Sequence, residues 1–201
     1  MKNSIKSAIA AALVMGITSY AHAGPDGSNH GTVTYIGTIE ESACSIKAED
    51  VDKEVDLGGS IGTGTIAAGK DSTKIHYTIE LEGCNFTAGT KNMHTVITAA
   101  SDAYSGNSDY LALMSTQGTG EMKGAYIQLG NKDETPVKLG EVVDEGIVME
   151  SDNVTGKTNQ TVHLTAWVHG VSTTTYSAGS SNGTIDLGPF RTPANYEISY
   201  D

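Results

Sequence analysis

Few residues in this chain could do chemistry, and their spacing argues against most of it. Beyond the first two dozen positions the histidines are His30, His76, His94, His163 and His169, and no two share the H-E-x-x-H spacing of a zinc site. No Gly-x-Ser-x-Gly elbow occurs, so no serine is presented as a nucleophile on a strand-to-helix turn. The histidines that fall in strand-like stretches alternate with apolar residues, which points them to solvent. The acidic run Glu49, Asp50, Asp52, Glu54 and Asp56 has the density of a calcium loop. Counted from Asp50, however, the sixth and twelfth positions are Val55 and Ile61 where the loop needs Gly and Glu. A solvated, self-repelling face is the expectation there. Gly62-Thr63-Gly64 has neither a third glycine nor a helix behind it, so it is not a nucleotide fingerprint. No catalytic residue, metal or cofactor is expected, and the chain is not read as an enzyme.

The remaining chemistry belongs to Cys44 and Cys84, and compartment decides it. Lys2 and Lys6, an apolar run from Ala8 to Ile17 and the small-residue site Ala21-His22-Ala23 have the order of a secretory signal cleaved before Gly24. The apolar run is shorter than the ~20 residues a membrane helix needs, and no later segment approaches that length. Removing 23 of the 201 residues leaves 178, and losing two lysines moves the net charge from -12 to -14. In an oxidising compartment Cys44 and Cys84 pair as a disulfide. A balance of 12 Lys plus Arg against 24 Asp plus Glu argues against binding nucleic acid, whose affinity comes from cations on phosphates.

The elements that must position these residues read as strands. The chain has 24 Gly, about 12% against a usual ~7%. Ser, Thr and Asn crowd the same stretches, as many turns require. Ile75, Tyr77, Ile79 and Leu81 alternate with Lys74, His76, Thr78 and Glu80. Shorter alternations occur at Val51 to Leu57, Met93 to Thr98, Tyr110 to Met114, Ala125 to Leu129, Val162 to Val168 and Thr184 to Leu187. No amphipathic helix of ten residues is present. Short strands separated by turns, with one disulfide, predict an all-β, immunoglobulin-like two-sheet sandwich. Three segments follow: a signal peptide over 1–23, an N-terminal extension over 24–40 and one domain over 41–201.

The two ends of the mature chain are complementary. In Gly31 to Glu40, Val33, Tyr35, Gly37 and Ile39 point to one side of a strand that precedes the first cysteine. At the other end Tyr196, Ile198 and Tyr200 alternate with Asn195, Glu197 and Ser199, and the sequence stops at Asp201. An immunoglobulin-like sandwich places a further strand beside such an element, so an open edge and an apolar groove are expected. Taken on alternation alone, Val33 to Ile39 could instead fold back into a sandwich that is already complete.

These features resemble the pilin subunits of the chaperone–usher pathway, specifically the type 1 fimbrial major-subunit family. Gly31 to Gly37 carries the Gly-Thr-Val-x-aromatic-x-Gly pattern, with Gly37 seven residues before Cys44. Val55-Asp56-Leu57-Gly58, Tyr77 to Leu81 before Cys84, and Leu111-Ala112-Leu113 follow in the family's order. Gly188, fourteenth from the end, and the penultimate Tyr200 match the family's terminal signature; Pro189 to Pro193 departs from it. The resemblance implies a sandwich lacking its last strand and completed by donor-strand exchange. Val33, Tyr35, Gly37 and Ile39 would then be the donor, with Gly188, Tyr196, Ile198 and Tyr200 at the acceptor groove read by a chaperone. It further implies a homopolymer, a periplasmic chaperone, an outer-membrane usher, and a surface fimbria that supports adhesion after export through the periplasm. A minor or adaptor pilin with a binding role is the alternative, since 178 residues leave no room for a separate tip-adhesin domain.

Overall fold

The computed structural model describes residues 31–35, 42–86, 89–100, 103–118, 120–172 and 184–201. It separates into two units, 1–40 and 41–201. The leader expected over 1–23, and Gly37 and Ile39, lie outside the described residues. In the first unit, residues 31–35 form no regular secondary structure, and Val33 and Tyr35 are exposed, 71% and 90%.

The second unit is all-β. Its elements are β1 (Ser45–Ile46), α1 (Thr63–Ile66), β2 (Ile75–Glu82), β3 (Asn92–Ala99), β4 (Leu111–Met114), β5 (Glu121–Asn131), β6 (Pro136–Val137), β7 (Val142–Gly146), β8 (Gln160–Gly170) and β9 (Ala194–Tyr200). The larger sheet runs β1-β2-β8-β5-β4 with β6 on β5, and the smaller runs β7-β3-β9; every described pairing is antiparallel.

The pairing follows from side-chain period. Val162, Leu164, Ala166 and Val168 on β8 turn inward, and they meet Ile79 and Leu81 of β2 and Ile127 and Leu129 of β5 in one buried cluster. Met93 and Ile97 on β3 close the cluster from the smaller sheet. On the opposite face of β8, Thr165 and Trp167 are also buried, at 0% and 1% exposure. Neighbouring groups cover them: Lys74 Nζ sits 4.6 Å from the Trp167 ring centroid, and a methyl group on Gly130 would lie 2.7 Å from that ring. Gly130 is therefore required by the close approach of the indole.

Two expected strands are not strands. Val51 to Leu57 alternates in sequence, yet it forms a turn and then chain without regular secondary structure, because no described strand bonds to its backbone. Thr184 to Leu187 is irregular. Ile185 is buried against Gly124, whose φ of 84° and lack of a side chain let the Thr184 carbonyl approach within 2.8 Å of where a Cβ would stand.

Cys44 and Cys84 form the expected disulfide, tying the start of β1 to the end of β2. The Asn85 amide adds a 2.8 Å bond to the Ala43 carbonyl. Replacing both cysteines with alanine should lower the unfolding free energy by about 4 kcal/mol, the loop-closure contribution for a ring of this size. The denaturant midpoint of the variant against the oxidised protein measures it.

Candidate functional site

The site is a missing place in a ladder. β9 bonds along one edge to β3, in register from Met93 opposite Tyr200 to Ala99 opposite Ala194. No described strand pairs with its other edge. Across a groove from the start of that strand, Ala194 to Tyr196, is the 51–61 segment, whose backbone makes no hydrogen bond to any strand among the described residues. Backbone amides and carbonyls are obligatory hydrogen-bonding groups. Here two rows of them face one another across a gap.

Between the two rows lies a groove of about 1370 Å³, lined by residues 51–61 on one side and 185–196 on the other. Its floor is the sandwich core, including Ile79, Leu113, Ile127, Leu164 and Val168. Small-molecule sites occupy ~300–1,000 Å³. A long groove of this size with an apolar floor and polar backbone at both walls suits an extended peptide.

The 186–196 wall is built by a chain that changes sheets. Residues 189–192 bond to the free edge of β4: the Thr116 amide donates to the Pro189 carbonyl at 3.1 Å and the Arg191 amide to the Met114 carbonyl at 2.9 Å. Thr192 Oγ1 donates to the Ala112 carbonyl at 2.7 Å. Pro193 then ends that pairing and β9 begins on the smaller sheet. Gly188, with φ 137°, lines the groove just before this crossing, and only glycine holds that backbone without strain.

The 51–61 wall is anchored by a buried carboxylate. Asp50, 3% exposed, accepts from Lys53 Nζ at 2.6 Å and from the Glu80 amide at 2.6 Å. The Lys53 ammonium, followed by the Glu80 amide, holds its carboxyl below the usual range. The Tyr196 hydroxyl donates to the Asp50 carbonyl at 2.8 Å, so the side chain of one wall reaches the start of the other. The reading of 49–56 as a uniformly solvated acidic face is corrected at Asp50, which is an internal tie. Burial also pushes the phenol of Tyr77, on the groove floor, up to about 12.

Of the residues singled out in sequence, the structure brings Gly188 and Tyr196 to the groove lining. Ile198 and Tyr200 share a face of β9 with Tyr196 and pack against the core further along the strand, with Tyr200 5.6 Å from the Phe86 ring. Sequence reading missed Asp50, Glu54 and Arg191. The only signal for Arg191 was its place in the unusual Pro189 to Pro193 stretch. Four histidines do not merely face solvent. His76 meets Glu134, His94 meets Asp144, His163 meets Glu145 and His169 meets Asp71, at 2.6 to 3.2 Å. Among the described residues no group of three or more potential ligands could hold a metal ion.

A family model described as "Fimbrial protein" matches residues 33–188. The chain belongs to the fimbrial protein family. Family members are structural, non-enzymatic proteins. An uncharacterised fimbrial-like protein of Escherichia coli, YfcV, is 32% identical over the whole length of both chains. Fimbria A protein of Serratia marcescens is 27% identical over 97% of each. Among solved structures, the P pilus rod subunit PapA has the same fold, with a TM-score of 0.56 and 21% identity over 80% of this chain and 100% of that one.

One feature of this fimbrial fold titrates. His94, on β3, bonds through Nδ1 to Asp144 of β7 at 2.6 Å, and its Nε2 lies 2.9 Å from Asp201 just beyond β9. Asp144 first and Asp201 second raise the His94 pKa above its ordinary 6.5, while His94 and Asn92 lower Asp201 from 3.8. Because the histidine value is raised on folding, its contribution is complete below about pH 6.5 and fades as pH climbs through the folded value. The aspartate's contribution fades as pH falls below its ordinary 3.8. The unfolding midpoint should therefore fall as pH rises above 6.5, and His94→Gln should flatten that dependence; equal slopes for the two proteins would refute the assignment.

Proposed function

We propose that this chain is a pilus subunit that polymerises by donating its N-terminal strand to the groove of a second copy. The observation that carries the reading is the pair of backbone edges, β9 and 51–61, that pair with no described strand and flank an apolar groove. A strand laid between them would bond to β9 on one side and to 51–61 on the other, satisfying both rows at once. Pilin donor-strand complementation is an established instance of this mode.

The donor is residues 31–39. Val33, Tyr35 and Ile39 fill pockets along the floor, and burying each contributes roughly 1.5–3 kcal/mol before ordering costs. Gly37 passes where a side chain would be too large. Val33 and Tyr35 are exposed, in keeping with side chains waiting for a partner. A donor and an acceptor at different places on one chain make a head-to-tail contact, which grows into an open filament unless its rotation closes a ring.

Before assembly the open edge is an aggregation hazard. A periplasmic chaperone covering β9 and the groove, at Gly188, Tyr196, Ile198 and Tyr200, meets that hazard, and an outer-membrane usher receives the subunit. The product is an extracellular fimbria that supports adhesion, reached by export through the periplasm.

Deleting residues 24–40 should leave a chain that still binds its chaperone yet forms no fibres under electron microscopy. Tyr35→Asp should shorten or abolish fibres without changing the unfolding midpoint of the 41–201 unit. Normal fibres from the deletion would sink the reading.

A further inference from the structure

Besides the Tyr196 hydrogen bond, an ion pair joins the two walls among the described residues. Arg191, on the wall that leads into β9, forms an ion pair through Nη2 with Glu54 Oε1 on the 51–61 wall. Both residues line the groove, and both side chains are 75% exposed. Their backbones are held independently of the pair. Arg191 is fixed to β4 through its amide bond to Met114, and 51–61 is fixed through Asp50 to β2. The ion pair is thus carried by two separately anchored walls.

We propose that the Arg191–Glu54 pair is a clasp across the groove, which an inserting strand must open, so that it sets the rate of strand exchange. The proposal rests on the reading that the groove takes a strand from a second copy. The remaining charges facing the pair fit a clasp rather than a binding site for an ion. Lys53 is committed to Asp50, and Asp52, Asp56 and Asp186 leave the rim acidic around Arg191. The donor residues 31–39 are uncharged from end to end, so they offer neither Arg191 nor Glu54 a replacement partner. Opening the pair is then an uncompensated step before the backbone ladder forms. An exposed pair of this kind changes a rate by roughly two- to five-fold.

Glu54→Gln makes the rim less acidic and Arg191→Gln makes it more acidic. If net charge alone governed insertion of a strand, the two substitutions would move the rate in opposite directions. A clasp is opened by either, so both should accelerate insertion. The experiment mixes the mature chain, residues 24–201, at a concentration too low for polymerisation with an excess of a fluorescent synthetic peptide of residues 31–39, amidated at its C-terminus so that it carries no carboxylate. Fluorescence anisotropy follows insertion.

Both single variants should insert the peptide roughly two- to five-fold faster than the wild type at low salt. The wild-type rate should rise toward theirs as salt goes from about 0.01 M to 1 M, where screening shortens from about 30 to 3 Å. The reversed pair, Glu54→Arg with Arg191→Glu, should return to the wild-type rate and salt response. Rates that move in opposite directions, or a reversed pair that stays fast, would overturn the clasp while leaving the groove reading intact. Failure of the peptide to insert into any of the four proteins would overturn the groove reading and the clasp together.

Discussion

A backbone that leaves water must find hydrogen-bond partners, and this fold leaves one row of partners unfilled. β9 satisfies β3 along one edge and presents the other to a gap, while 51–61, across the groove from the start of β9, pairs with no described strand. The apolar floor gives the vacancy its affinity for side chains, and the facing backbones give it a preference for extended chain.

Keeping two walls apart over an apolar floor requires anchors, because burying that floor by closing the gap would itself be favourable. The buried Asp50 holds the start of the 51–61 side against β2. The crossing at 189–192 holds the other side against β4, and Pro193 stops it from continuing along that edge. The phenol of Tyr196 reaches between the walls at one point. Each wall is thus fixed to the larger sheet through contacts that do not involve the missing strand.

Charge is arranged around the same frame. The chain is strongly acidic, yet the described histidines on strands each sit against a carboxylate. His94 does so from the middle strand of the smaller sheet, touching β7 on one side and the end of β9 on the other. It therefore bears on the strand whose far edge forms the groove. Arg191 and Glu54 belong to the groove side of the same strand system.

Local pattern carried much of this protein. Alternation placed β2, β3, β4, β5 and β8 to within a few residues, because a half-buried strand imposes a period of two on its own residues. The cysteine pair and the terminal alternation of Tyr196, Ile198 and Tyr200 were equally legible. Alternation failed at Val51 to Leu57, since an apolar-polar period says which side of a segment faces the core and nothing about whether a neighbour exists to bond its backbone. The same limit hid Asp50, Glu54 and Arg191. Asp50 looked like one more acid in a run until the fold brought the Glu80 amide, thirty residues away in sequence, against it. Sequence alone determined β2, β3, β4, β5, β8 and β9 and their apolar faces, because those depend on near neighbours. Only the tertiary structure decided where the ladder stops and which charges meet across the gap, because those depend on which distant segments the sandwich sets side by side.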